Sequence, residues 1–202
     1  MQPAPVTLEG RLVRLDPMTT GHVDALSEVG LDPRIWEWNA FPVRDRDEMR
    51  AYVETALSWE AAGTAVPFVT VDRASGRVVG STRFGAIDTF NLHVEIGWTW
   101  LHPDYWRSGL NTEAKLLMLG HAFGHWGCRR VELKTDAENA RSRAAIERIG
   151  GRLEGIFRKH MVTATERMRD TAWYSILDGE WPEVRARLEA FLAAPHPRRP
   201  AA

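Results

Sequence analysis

A single cysteine, Cys128, stands in 202 residues, so no disulfide closes within the chain and no cysteine-built metal cluster is available. Its expected place is that of a small buried apolar residue. No apolar run approaches the roughly 18 residues of a membrane span, and the opening MQPAPVTLEGRLVRL lacks the long apolar core of a secretory signal. A cytoplasmic protein with no membrane partner is expected. Charge of one sign is missing too: 26 Lys and Arg against 27 Asp and Glu leave a formal net charge of -1. That offers no basic field to nucleic acid and no acidic surplus of the kind that keeps chains unfolded. Repeats, low-complexity blocks and domain-separating linkers are also lacking, which predicts one domain over residues 1–194 and a disordered tail over 195–202. What is plentiful is tryptophan, nine in all, several in short stretches: Trp36 with Trp38, and Trp98 with Trp100 and Trp106. Such rings fill a core or line a pocket.

Taken in order, residues 8–18 alternate around Leu12, Val13 and Leu15 as a first strand, closed by Asp16-Pro17. Thr19 or Thr20 then caps a helix over 22–29. The segment DPRIWEWNAFP carries Ile35, Trp36, Trp38 and Phe41 between two prolines, a brief helix or loop with an aromatic face. An amphipathic helix follows over 46–62 and stops at Gly63. From residue 66 the period changes to two: a hairpin turns at Ser75-Gly76, and a third run over 92–103 completes an antiparallel meander. Alternation along that run places His93, Glu95, Gly97 and Thr99 on one face and Val94, Ile96, Trp98 and Trp100 on the other. A helix, a strand over 129–136, a helix capped near Asn139 and stopped by Gly150-Gly151, two strands and a last helix finish the chain. The sum is an α/β sandwich around a mixed, largely antiparallel sheet.

The stretch WRSGLNTEAKLLMLGHAFGHW, 106–126, holds the chemistry. A turn at Gly109 runs directly into a helix, whose unpaired first amides and dipole form a natural anion site. A plain helix start is the competing reading, because short glycine motifs are common.

Three separated pieces, VEIGWTWLHPDYWRSGLNTEA, DAENARS with GGRLEG, and RDTAWYSILDGEW, together resemble the GNAT superfamily of acetyl-CoA-dependent N-acetyltransferases, in its RimJ/RimL-like branch. The likeness spans nearly the whole chain. It implies a GNAT-like α/β fold, a mostly antiparallel central sheet flanked by helices. In the family's phosphate motif Trp106, Gly109 and Asn111 hold the defining positions. Asn111 adds a side chain where the family has glycine or alanine, and Arg107 replaces a common glycine. The resemblance implies that the amides of Arg107, Ser108, Gly109, Leu110, Asn111 and Thr112 hold the pyrophosphate of CoA. Strand edges at 98–101 take its pantetheine arm, with an amide near Trp100 or Leu101 polarising the thioester carbonyl. Asn139 is implied to bond pantetheine and Ser142 to lie near the sulfur; as bare residues they read equally well as a helix cap and a first-turn serine. The tyrosine that many members use to protonate the departing thiolate is Ile146 here, which leaves Ser142 or a water.

Glu95 is the candidate base, with His93 on its face as a second. The acceptor is expected to be a primary amine, a protein N-terminus or a small molecule, lying against Trp36, Trp38 and Phe41. No metal is implied, and a homodimer is possible on the family's habit. The alternative class is a GNAT-like acyl-CoA-binding or regulatory module without catalysis.

Overall fold

The computed structural model describes residues 1–194, so the expected tail over 195–202 lies outside the described residues. Eight strands form one sheet in the order β1-β2-β3-β4-β5-β6-β8-β7. They are β1 (Leu8–Glu9), β2 (Val13–Pro17), β3 (Val66–Asp72), β4 (Val78–Asp88), β5 (His93–Leu101), β6 (Arg130–Asp136), β7 (Arg152–Val162) and β8 (Met168–Leu177). Every neighbouring pair is antiparallel except β5 and β6, which run parallel.

The expected first strand is two. Residues 10–12 turn back between β1 and β2, because the amides of Arg11, Leu12 and Val13 all donate to the buried carboxylate of Glu113, at 3.0, 2.6 and 2.8 Å. Gly10 is needed there: a Cβ would come within 2.4 Å of that carboxylate. A local strand pattern has no way to register an acceptor a hundred residues downstream.

Helices α1 (Val23–Gly30), α2 (Pro33–Trp36) and α3 (Arg46–Ala61) precede the meander and cover one face of its first half. Their core gathers Leu26, Trp36, Met49, Val53, Val69 and Trp100. Asp45 caps α3 by accepting from Glu48 N, and Asp32 caps α2, with Pro33 filling its first position. The opposite face carries α4 (Leu110–Gly120), α5 (Ala140–Arg148) and α6 (Trp181–Ala193). Its larger core joins Phe68, Phe84, Val94, Ile96, Leu110, Met118, Val131, Ile146, Tyr174 and Leu188. Among the described residues no helix therefore covers the face of β6, β8 and β7 on the α3 side.

Candidate functional site

Strands β5 and β6 share three rungs, His93–Arg130, Val94–Val131 and Glu95–Glu132, and then part. The outer edge of β5 from Ile96 to Leu101 is left open. On its other side Ser81 faces Trp100 while Arg83 faces Gly97, so three steps on β5 answer two on β4. The extra residue is Trp98, at φ 49°, and it makes a β-bulge. The bulge corrects the expected alternation. Trp98 lies over Gly85, whose own partner is Glu95, and packs against Trp59 of α3 at 5.4 Å between ring centres. Trp100 packs on Trp36 and Tyr52. Thr99 turns the other way, toward α4, where its hydroxyl accepts from Lys115 Nζ at 2.7 Å. Glu95, Gly97, Trp98 and Trp100 thus share the α3 side, and Thr99 joins Val94 and Ile96.

The direction of the edge amides follows. His102 N donates to Val79 O on β4. Amides alternate along a strand, so Trp100 N–H also points into the sheet and Leu101 N–H points out to the open edge. The Leu101 carbonyl, on that same outer side, accepts the indole N–H of Trp106 at 2.9 Å.

Beyond β5 a short turn at Pro103–Tyr105 leads to Arg107 at φ 63° and Gly109 at φ 85°, both left-handed. The first bond of α4 runs from Glu113 N to Gly109 O. The amides of Leu110, Asn111 and Thr112 precede it and have no partner one turn back. Ser108 Oγ tightens the loop through Tyr105 O at 2.6 Å, and Arg148 reaches from α5 to Thr112 Oγ1 at 3.2 Å. Asn111 Oδ1 is buried with no hydrogen bond. Across the gap, the Arg141 guanidinium of α5 stacks 3.9 Å over the Trp106 ring. One turn into α4, burial alone brings the Lys115 ammonium down to about 7.

Glu95 occupies the last rung before the strands part, 8% exposed. Burial raises its pKa above the usual carboxylate value; Lys134, whose Nζ lies 2.8 Å from Glu95 Oε2, pulls the other way without cancelling it. Lys134 is itself fixed 3.5 Å over the Trp173 ring and 3.6 Å from Glu132. A buried carboxylate that holds its proton more readily than an exposed one is suited to proton transfer.

The other candidates scatter. Asn139 caps α5, its Oδ1 accepting from Ser142 N at 3.0 Å, and its own amide donates to Asp136 O at the end of β6 at 3.0 Å. Ile146 is a core residue. His93 sits two rungs before Glu95, with Nε2 3.5 Å from Asp88 and Nδ1 buried and unbonded. Trp36 is 6% exposed and donates its indole N–H to Gly30 O at 2.6 Å, which places it in the α1–α3 core. Trp38 is half-buried and Phe41 is 67% exposed. The segment touches the β7–β8 turn, where Ala40 O accepts from Ala164 N at 2.8 Å. Sequence reasoning missed Lys134, Trp173, Lys115 and Arg83. The one available signal was the alternation Arg130, Glu132, Lys134 on a strand expected to be interior, which sets three charges on the face of Glu95.

A family model described as an acetyltransferase (GNAT) domain matches residues 12–152. N-acetyltransferase p20 of Bacillus licheniformis, itself uncharacterized, is 26% identical over 176 residues, 87% of this chain and 98% of that protein. A GCN5-related N-acetyltransferase from Brucella melitensis superposes with a TM-score of 0.88 at 36% identity, covering 96% of this chain and 88% of the other. Mycobacterium smegmatis RimJ, solved in complex with CoA-disulfide, shares the fold at a TM-score of 0.79 and 24% identity, over 92% of this chain and 94% of its own.

Proposed function

The chain belongs to the GNAT acetyltransferases, and from that premise we propose that it moves the acetyl group of acetyl-CoA to a primary amine, with Glu95 taking the amine's proton. The carrying observation is the position of Glu95: a buried carboxylate of raised pKa on the last rung before β5 and β6 separate.

Acetyl-CoA supplies the activated acyl carbon, and the residues present suit it. The three free amides of Leu110, Asn111 and Thr112 at the positive end of α4 fit a pyrophosphate. The loop residues Trp106, Arg107, Ser108 and Gly109 set their approach, and Arg107 and Arg141 add positive charge beside them. The open edge of β5 can pair with the amides of a pantetheine arm as it would with an added strand. Of the two amides expected to polarise the carbonyl, Leu101 N–H is the one aimed at that edge, while Trp100 N–H faces β4. Asn139 spends its carboxamide oxygen on Ser142 N and keeps its NH2 group to donate.

Because α4 and α5 cover the opposite face, the acceptor enters from the α3 side of the sheet. An aliphatic ammonium has a pKa of about 10, so a base must strip it before attack. Glu95 does so directly or through one water, and general-base help of this kind contributes typically about 10²–10⁴-fold. An edge amide positioned for the developing oxyanion adds a comparable factor, on the order of 10²–10³. Ser142, in the first turn of α5, is the side chain assigned to the departing sulfur.

The test is release of free thiol from acetyl-CoA across a panel of peptides and small amines, with acetyl-CoA binding measured in parallel. Transfer to at least one amine class supports the enzyme. Tight acetyl-CoA binding with no transfer to any amine would instead make the chain a binding module.

A further inference from the structure

Arg83, in the middle of β4, is 1% exposed. Buried guanidinium groups normally meet a carboxylate. This one does not: among the described residues it forms no ion pair or hydrogen bond, and its Nε is buried with nothing to donate to. Among the described residues, three aromatic rings lie against it. The guanidinium carbon lies 4.9 Å from the Tyr52 ring, 5.1 Å from Trp98 and 5.2 Å from Trp59. Rings attract a cation through their quadrupole, yet they satisfy none of its five N–H donors.

Its place matters as much as its isolation. Arg83 faces Gly97, and Gly85, two residues on, faces Glu95. Arg83 and Glu95 are therefore diagonal neighbours on one face, with strand positions about 7–8 Å apart. The nearest carboxylate along the strand, Glu95, is already held by Lys134 at 2.8 Å, so it does not serve Arg83. Over Arg83 sits the edge-to-face pair Trp59 and Trp98, each 36% exposed. A desolvated cation with a planar fork of donors, beneath two half-exposed indoles and beside the proposed base, is the chemistry of a carboxylate anchor.

Resting on the function proposed above, we infer that Arg83 binds a carboxylate carried by the acceptor, so that the acceptor class is a primary amine bearing a carboxylate group. Two sources share that chemistry: a free amino acid, and a peptide whose first residues are acidic. In either case the amine is directed to Glu95 and the carboxylate to Arg83, and the Trp59–Trp98 pair excludes water around both.

The experiment compares matched acceptors with the full-length protein: amino acids against their carboxamides, and peptides beginning with Asp or Glu against the same peptides with Asn or Gln. The expected result is a kcat/KM at least tenfold higher for the carboxylate member of one set, carried mainly by KM. That set identifies the source. Arg83→Met should bring the ratio within about threefold of unity while leaving the KM for acetyl-CoA unchanged. Arg83→Lys, which keeps the charge without the fork, should fall between. Equal kcat/KM for both members of every pair in the wild-type protein overturns the inference, and so does an Arg83→Met variant that slows both members equally, since Arg83 would then only clamp the rings. If no amine is acetylated at all, it is the proposed function that fails. The carboxylate site is then read separately, by tryptophan fluorescence during titration with glutarate. A saturable change lost in Arg83→Met supports it, and no change contradicts it.

Discussion

Lys134 reaches back along β6 to set its ammonium 2.8 Å from the carboxylate of Glu95, where the two strands stop pairing. Side-chain exposures of 17% and 11% make this a shielded contact, so the cation bears directly on how readily Glu95 ionises. Burial raises the Glu95 pKa and Lys134 holds part of that rise down.

Removing Lys134 exposes the balance. Only ionised Glu95 accepts a proton, so kcat/KM falls as pH drops through its pKa. Without the cation that pKa climbs further, and the acid limb of the profile for Lys134→Met should move to higher pH. The measurement is kcat/KM against pH for wild type and variant. A limb that stays put, or moves to lower pH, would show that Lys134 does not tune the base.

Lys115 makes a prediction about stability. Its folded pKa is lowered from 10.5 to about 7 by burial, so the unfolded chain binds more protons between those values. Stability contributed through this group therefore rises with pH from about 7 to about 10, and the cost of burying the charge is greatest below 7. Lys115→Met should remove that slope and stabilise the protein at pH 6 by on the order of a few kcal/mol, with little difference near pH 10. Urea midpoints of both proteins at pH 6, 8 and 10 check it. A difference that is constant across the three would mean that Lys115 does not titrate in this range.

Gly109 joins loop and site. Its φ of 85° is costly for any residue with a Cβ. Gly109→Ala should lower stability by about 1–2 kcal/mol and, by tilting the first amides of α4, weaken acetyl-CoA binding about tenfold. Calorimetric titration with acetyl-CoA and thermal unfolding read the two effects. Unchanged affinity alongside the stability loss would remove the loop from the CoA site.

Much of this architecture was legible from local pattern. The meander, the Gly109 turn into a helix, the cap at Asn139 and the stop at Gly150-Gly151 each rest on residues close in sequence, and the structure has all of them. What escaped has a common cause. The bulge at Trp98 inserts a residue that a period of two does not register, and it reversed the faces expected for Trp98, Thr99 and Trp100. Lys134 and Trp173 reach Glu95 or its neighbours only through pairing between strands far apart in sequence, and Arg83 reaches them through a β4–β5 register that the pattern alone does not give. Trp36 entered the core because the edge of Trp100 and the ring of Tyr52 made room for it, a packing matter that aromatic clustering alone does not decide.

The central claim is that Glu95 removes the proton from the acceptor amine. Its most direct test is Glu95→Gln, which keeps size and strand packing while removing basicity. Thiol release with a working acceptor should fall by about 10²–10⁴-fold at pH 7, with the dissociation constant for acetyl-CoA within a few-fold of wild type. Turnover close to wild type across the pH range, at unchanged acetyl-CoA affinity, would contradict the account.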